Sequence, residues 1–159
     1  MNFTSNDCKH WGVVEEIFPH MTKECAAAMT ETIFGTDRFW ADMEIQPKAQ
    51  QVVKKLIDKG HEVYIVTAPW PTAKNCKSEK EEWIKRFLPS FDLRNIIFCY
   101  NKNLLTGDLI IDDAPYNISN NNCKYSIIFD YPYNQDTKAT FRAKDWSEID
   151  KIIQSQISS

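Results

Sequence analysis

The stretch Leu109-Ile110-Ile111-Asp112-Asp113-Ala114-Pro115 decides the fold, because an apolar run ends abruptly in two carboxylates and a proline. A buried strand ends in adjacent charges where those charges face a cavity, a metal ion or the open end of a sheet. In open α/β sheets, ligands bind at the carboxyl ends of the strands. We therefore expect Asp112 and Asp113 to lie at a binding site, although the same residues taken alone also suit an ordinary turn or a helix cap.

The composition is that of a single intracellular domain. The chain has 159 residues, 43% of them hydrophobic, which is enough for one core. Its formal net charge of -3 does not provide the basic surface that binds a polynucleotide. The cysteines are odd in number and form no Cys-x-x-Cys pair, which argues against a disulfide framework or a zinc site. No apolar run approaches the ~18 residues that span a bilayer. We expect a cytoplasmic protein with no membrane anchor and no polynucleotide partner, and the sequence leaves a homodimer open.

Strand and helix patterns alternate along most of the chain. Helices are predicted from Thr22 to Phe34, from Pro47 to just before Gly60, from a Ser78 and Glu81 capping box to Pro89, and from Trp146 to Ile153. Strands are predicted at 63–67, 96–99, 109–112 and, as the last one, 125–129, with an asparagine-rich turn at 117–122. This alternation predicts a three-layer α/β fold. We expect residues 1–46 to form a small helical layer and residues 47–159 an α/β core, within one compact domain.

Polar residues follow the predicted strands at the edge where a parallel sheet presents its carboxyl ends. Thr67 and the backbone from Ala68 follow one strand, Lys102 follows the next, and the two aspartates end a third. A hydroxyl, backbone amides and a lysine can hold phosphate oxygens, and paired carboxylates can hold a hard cation such as Mg²⁺. The order and spacing of these residues therefore indicate phosphoryl chemistry.

Lys80 is a second candidate phosphate ligand. It is expected in the first turn of its helix, where a cation is unfavourable to the helix dipole and a bound anion would compensate. The alternative is a solvated charged face that Lys80 shares with the neighbouring glutamates. Thr67 likewise suits a plain turn position, and Trp11 is more often a core residue than a ligand platform.

Five segments resemble, in family order, the haloacid-dehalogenase-type phosphatases and within them the 5'(3')-deoxyribonucleotidases. The segments are Phe39-Trp40 with 45–49, 63–69, Glu79-Lys80 with Trp83, 98–102, and 109–115. The resemblance implies Mg²⁺-dependent hydrolysis of nucleoside monophosphates through an aspartyl-phosphate. It also implies Thr67 and Lys102 as phosphate ligands, and Asp113 as a metal ligand with Asp112 supporting it. Residues 1–46 would form a small helical cap segment, with Trp11 stacked on the base.

The family's first motif, an apolar strand ending in Asp-x-Asp-Gly, has no match in this sequence. In the family this motif supplies the nucleophile and the acid, and its strand lies at the centre of the sheet, between the strands that end at Thr67 and Asp112. The resemblance therefore implies a Rossmann-like parallel sheet without its first, central strand, in a chain that is N-terminally truncated and inactive as given. A non-catalytic relative that binds a nucleotide or phosphate with Mg²⁺ is one alternative, and a fragment without independent function is another.

Overall fold

Parallel strands form two separate sheets in the part of the chain that the computed structural model describes, which is residue 9 and residues 13–157. The helices are α1 (Val13–Ile17), α2 (Lys23–Phe34), α3 (Ala49–Asp58), α4 (Cys76–Phe87), α5 (Pro115–Ser119) and α6 (Trp146–Ile152). The strands are β1 (Ile65–Thr67), β2 (Ile96–Phe98), β3 (Thr106–Asp112), β4 (Asn122–Phe129) and β5 (Phe141–Ala143). The predicted α/β architecture with parallel strands is confirmed.

The chain divides into two compact units. The continuous unit is Thr30–Tyr100 and contains β1 and β2. The discontinuous unit combines Met1–Met29 with Asn101–Ser159 and contains β3, β4 and β5. These units do not correspond to the cap segment and α/β core expected on either side of residue 46. That expected boundary stays a prediction.

In the discontinuous unit, β4 lies between β3 and β5, and all three strands are parallel. Ile127 and Ile128 of β4 are completely buried, as expected for a strand with neighbours on both sides. Asp112 at the end of β3 is level with Ile128. Asp145 caps α6 by accepting hydrogen bonds from two backbone N–H groups, and Ile149 of that helix is fully buried. The core of this unit therefore lies around β4, directly beside the strand that carries the aspartates.

In the continuous unit, β1 and β2 form a two-stranded sheet that pairs Ile65 with Ile96 and Thr67 with Phe98. Every residue of these two strands is only half-buried. Helix α3 is amphipathic, and its buried face includes Val52 and Val53. The apolar interior of this unit therefore depends on helices as much as on strands.

The four predicted helices are confirmed in place, and the starts of α3 and α4 are corrected. Thr22 accepts a hydrogen bond from the backbone N–H of Cys25 (3.3 Å) and caps α2 as expected. Helix α3 begins at Ala49 because Lys48 has a left-handed φ of 67°, so Pro47 is not its first helical residue. Among the described residues, none of the helices combines the length and apolar character that crossing a bilayer requires.

The predicted Ser78 and Glu81 capping box is wrong. Helix α4 begins at Cys76, and the Ser78 hydroxyl donates to the carbonyl of Asn75 instead of accepting a backbone N–H (2.9 Å). Cys76 is completely buried. Burying this side chain favours an earlier helix start, a tertiary effect that the local pattern does not contain.

Two predictions for the C-terminal part of the chain are corrected. The asparagine-rich segment expected as a turn at 117–122 has a turn at Asn120 only, between the end of α5 and the start of β4. Pro115 at the first position of α5 has the φ that a helix needs. The strand at 125–129 is not the last one, because β5 pairs in parallel with β4. Three residues are too few to show an alternating pattern, so β5 gave no sequence signal.

Candidate functional site

Asp112 lies at the end of β3 in the discontinuous unit, and N–H donors occupy both of its carboxylate oxygens. Its Oδ1 accepts from the backbone N–H of Ala114 (2.8 Å) and from the Asn117 side-chain amide (3.1 Å). Its Oδ2 accepts from Lys102 Nζ (2.7 Å) and from the same amide (3.1 Å). The Asp112 side chain is 7% exposed and that of Lys102 is 21% exposed. The ion pair is therefore partly shielded from water, which places a positive charge at the end of β3 in a defined position.

Asp113 follows β3 directly and makes a different set of contacts. Its Oδ2 accepts a hydrogen bond from the Tyr133 hydroxyl (2.7 Å), and its backbone carbonyl accepts from the Asn134 side-chain amide (3.0 Å). Burial raises the pKa of the Asp113 carboxyl above its ordinary value, the Asp112 charge adds to this, and the hydrogen bond from Tyr133 opposes it. A buried carboxylate near another negative charge favours a compensating cation.

The carboxylates of this site suit a metal ion such as Mg²⁺, which keeps part of its water shell, better than an ion whose ligands all come from the protein. In residues 13–157 no three His, Cys, Asp or Glu side chains are grouped so that they could hold a metal ion together. Mg²⁺ keeps several of its waters and is commonly bound by one or two carboxylates with substrate phosphates completing the shell. Asp113, with Asp112 beside it, offers a donor set of this kind.

Thr67 and Lys80 meet in the continuous unit. Lys80 Nζ donates to the Thr67 hydroxyl oxygen (2.8 Å) and to the backbone carbonyl of Ala68 (2.6 Å). The same ammonium lies 4.4 Å from the centre of the Trp40 ring, a cation–π geometry. Because α4 begins at Cys76, Lys80 lies in the second turn of the helix and not in the first as expected. Its side chain reaches the end of β1, so this lysine is not simply part of a solvated charged face.

The predicted site residues thus fall into two groups, one in each unit. The structure brings Lys102 to Asp112 in the discontinuous unit and Lys80 to Thr67 in the continuous unit. Trp11, expected to stack on a base, lies outside the described residues. The phosphate-binding and metal-binding roles of these residues stay predictions.

Comparison with known proteins identifies the family. A family model described as "5' nucleotidase, deoxy (Pyrimidine), cytosolic type C protein" matches residues 2–157. The chain belongs to this family. The resemblance to the deoxyribonucleotidases among the haloacid-dehalogenase-type phosphatases is thereby confirmed.

Three curated relatives named 5'(3')-deoxyribonucleotidase show what share of a family member's length this chain matches. The 5'(3')-deoxyribonucleotidase of Clostridium acetobutylicum is 31% identical over 150 residues, which cover 94% of this chain and 78% of that protein. The proteins of the same name from Bacillus subtilis and Bacillus phage SPbeta are each 33% identical over 105 residues, which cover 66% of this chain and 59% of each relative. The match therefore spans less than two thirds of the length of the two Bacillus relatives.

Sequence reasoning missed three residues that hold Asp112 and Asp113 in place. Asn117 donates to Asp112, and Tyr133 and Asn134 both bind Asp113. Asn117 had a usable signal, because Pro115 favours a helix that carries residue 117 back towards the strand end. The contacts of Tyr133 and Asn134 cross about twenty residues of sequence, and no local pattern reveals them.

Proposed function

We propose that this protein serves the Mg²⁺-dependent removal of phosphate from deoxyribonucleoside monophosphates, through an aspartyl-phosphate. The observation that carries the proposal is the buried arrangement at the end of β3, where Lys102 Nζ lies 2.7 Å from Asp112 Oδ2 and Asp113 is the next residue. Membership of the deoxyribonucleotidase family supports the choice of substrate class.

In this proposal the aspartates and Lys102 have distinct roles. Asp113 holds the metal ion, since the Tyr133 hydroxyl engages one of its carboxylate oxygens, whereas N–H donors occupy both oxygens of Asp112. Asp112 supports the site by orienting Lys102, whose ammonium attracts the substrate phosphate. A bound Mg²⁺ supplies further positive charge to the phosphate oxygens.

Thr67, Ala68 and Lys80 are the second part of the proposed phosphate-binding machinery. The Thr67 hydroxyl and the backbone N–H of Ala68 are donors of the kind that bind phosphate oxygens after a strand. The contact of Lys80 Nζ with Thr67 supports a role for its charge beside that hydroxyl. The base contact proposed for Trp11 and the cap role proposed for residues 1–46 belong to the same hypothesis, as do a cytoplasmic location and a homodimer.

We further propose that the nucleophilic aspartate of the family is supplied by a segment outside this sequence and that the given chain is inactive alone. No apolar run in the sequence ends in Asp-x-Asp-Gly. In the described residues β3 is an edge strand, and β1 has a strand partner on one side only. An open strand edge can pair with a further strand, so these edges leave room for an additional strand in the active enzyme.

A non-catalytic protein that binds a nucleotide or phosphate with Mg²⁺ is the second candidate. The absence of the nucleophile motif from the sequence favours it, while the candidate ligand residues are all present. The two candidates differ in phosphate release and not in binding.

Calorimetric titration with deoxyuridine monophosphate, with and without Mg²⁺, tests the binding that both candidates require. We expect Mg²⁺-dependent binding that Asp113→Asn abolishes and Lys102→Ala weakens by about tenfold or more, since each removes a charge from the site. Asp136→Asn and Lys138→Ala are matched controls, because both residues are exposed and make the same charge changes in the same unit. Equal binding by all four variants would contradict both candidates.

Release of inorganic phosphate from the same nucleotide separates the candidates. The proposal predicts no turnover by this chain alone and Mg²⁺-dependent turnover when a βα segment carrying Asp-x-Asp-Gly is fused in front of it. Binding without turnover in both forms would favour the non-catalytic candidate.

A further inference from the structure

The turn that follows β4 reaches the side chain of Asp113. This turn, Pro132–Asn134, will be called the Tyr133 turn. The Tyr133 hydroxyl donates to Asp113 Oδ2 over 2.7 Å, and the Tyr133 ring stacks on that of Tyr131 at 5.3 Å and 18°. A side chain twenty residues further along the chain thus fixes one oxygen of the carboxylate.

Asn134 fixes the backbone of the same aspartate. It is 1% exposed, and its side-chain amide donates to the carbonyl of Asp113 (3.0 Å) and to that of Phe129 at the end of β4 (2.7 Å). The amide oxygen accepts from the backbone N–H of Tyr131 (3.2 Å). Asn134 therefore links the ends of two neighbouring strands and the Tyr133 turn.

Arg142 of β5 holds the Tyr133 turn from the other side. Its guanidinium donates to Asn134 Oδ1 (2.9 Å), to the carbonyl of Asn134 (3.0 Å) and to the carbonyl of Thr137 (3.1 Å). It also forms an ion pair with Asp130 (2.9 Å). A planar guanidinium can satisfy several acceptors at fixed angles, which a flexible ammonium cannot.

The hydroxyl of Tyr133 is not needed to hold the turn. Asn134 and Arg142 already bind the turn to β4 and β5, and ring stacking places the tyrosine. The hydroxyl donates to the carboxylate of Asp113 and restricts its rotation. Partners of this kind, which orient a ligand without touching the metal, determine how well a metal site is preorganised.

We propose that Tyr133 is a positioning residue for Asp113 as a metal ligand, and that the Tyr133 turn, held by Asn134 and Arg142, is its support. The inference rests on the proposed function, which makes Asp113 the ligand. With one Asp113 oxygen held by Tyr133, the carboxylate presents its other oxygen to the cation in a constant direction.

The test is the affinity for Mg²⁺ alone, measured by calorimetry and by the rise in unfolding temperature with added Mg²⁺. Tyr133→Phe removes only the hydroxyl and should weaken Mg²⁺ binding on the order of tenfold. Tyr125→Phe makes the same change on β4, where the ring lies against Phe141, and should bind like the wild type. Arg142→Lys keeps the charge near Asp130 but loosens the turn, and should weaken binding to a smaller extent.

The outcomes distinguish this inference from the proposed function. Mg²⁺ binding by the wild type that Asp113→Asn abolishes and Tyr133→Phe weakens supports both. Wild-type affinity in Tyr133→Phe and in Arg142→Lys would overturn the positioning role and leave Asp113 as the ligand. Wild-type affinity in Asp113→Asn would overturn the proposed function together with this inference. If Tyr133→Phe loses its cooperative unfolding, Arg142→Lys alone decides between the first two outcomes.

Discussion

The middle strand of the discontinuous unit and the strand pair of the continuous unit have similar sequences but different surroundings. Ile127 and Ile128 of β4 are completely buried between β3 and β5. Ile65 and Ile97, in β1 and β2, are only half-buried, and each of these strands has a single strand neighbour among the described residues. The isoleucines are thus fully buried in the strand that has both edges paired, and only half-buried in the strand pair.

The largest expected effect tests this comparison directly. Ile127→Ala should lower the free energy of unfolding by about 3 kcal/mol, because the cavity opens in a fully packed strand. Ile97→Ala in the half-buried β2 should cost on the order of 1 kcal/mol. Urea unfolding of both variants measures the difference. Equal losses of unfolding free energy in the two variants would mean that the difference in burial between the two sheets does not affect their stability.

The continuous unit should depend more on a buried polar contact than on its sheet. Glu79 is 7% exposed and accepts the backbone N–H groups of Arg38 and Trp40, each at 3.0 Å. Glu79→Ala should cost about 2 kcal/mol, because two N–H groups lose a charged acceptor. Glu81→Ala on the same helix is the control and should cost much less. A loss of stability no larger than that of the control would mean that Glu79 does not stabilise this unit.

A third prediction concerns the ligand residues of the continuous unit. Lys80→Ala should weaken binding of inorganic phosphate by about tenfold, because the ammonium beside Thr67 is lost. Lys85→Ala, an exposed lysine on the same helix, should leave the affinity unchanged. Calorimetric titration with phosphate compares the two. Unchanged affinity in Lys80→Ala would restrict this lysine to a structural role at the end of β1.

The smallest expected effect is a pH dependence in the discontinuous unit. The hydrogen bond from Gln135, followed by the contact with Arg142, holds the pKa of Asp130 below its ordinary value. A depressed pKa means that the ionised group stabilises the fold above the ordinary value near 4, and that this contribution is lost as the pH falls through the lower, folded pKa. Asp130→Asn should flatten the acid side of the stability profile by on the order of 0.5 kcal/mol.

Urea unfolding between pH 3 and 6 measures this contribution, with Asp136→Asn as the control for loss of a surface carboxylate. An unchanged acid slope in Asp130→Asn would show that the contacts of Asp130 with Gln135 and Arg142 together add no net stability through its ionised form.

The sequence was sufficient for features that a local pattern encodes. The apolar run that stops at Asp112 and Asp113 predicts a strand end there, and the helical spacing of apolar residues predicts α3. The asparagines of α5 suggest a turn in place of a helix. The local sequence does not decide between the two interpretations of Lys80, since a cation on a helix surface has the same local sequence whether it is solvated or bound.

The amino-acid sequence by itself determined the α/β class and the pair of carboxylates at the end of β3, because these follow from periodicity and from residues adjacent in the chain. Its resemblance to known proteins determined the family. Only the tertiary structure decided that N–H donors occupy the oxygens of Asp112, that Tyr133 holds Asp113, and that Lys80 reaches Thr67. The physical reason is that a hydrogen bond depends on where side chains meet after folding. Partners thirteen or twenty residues apart leave no periodic trace in the sequence.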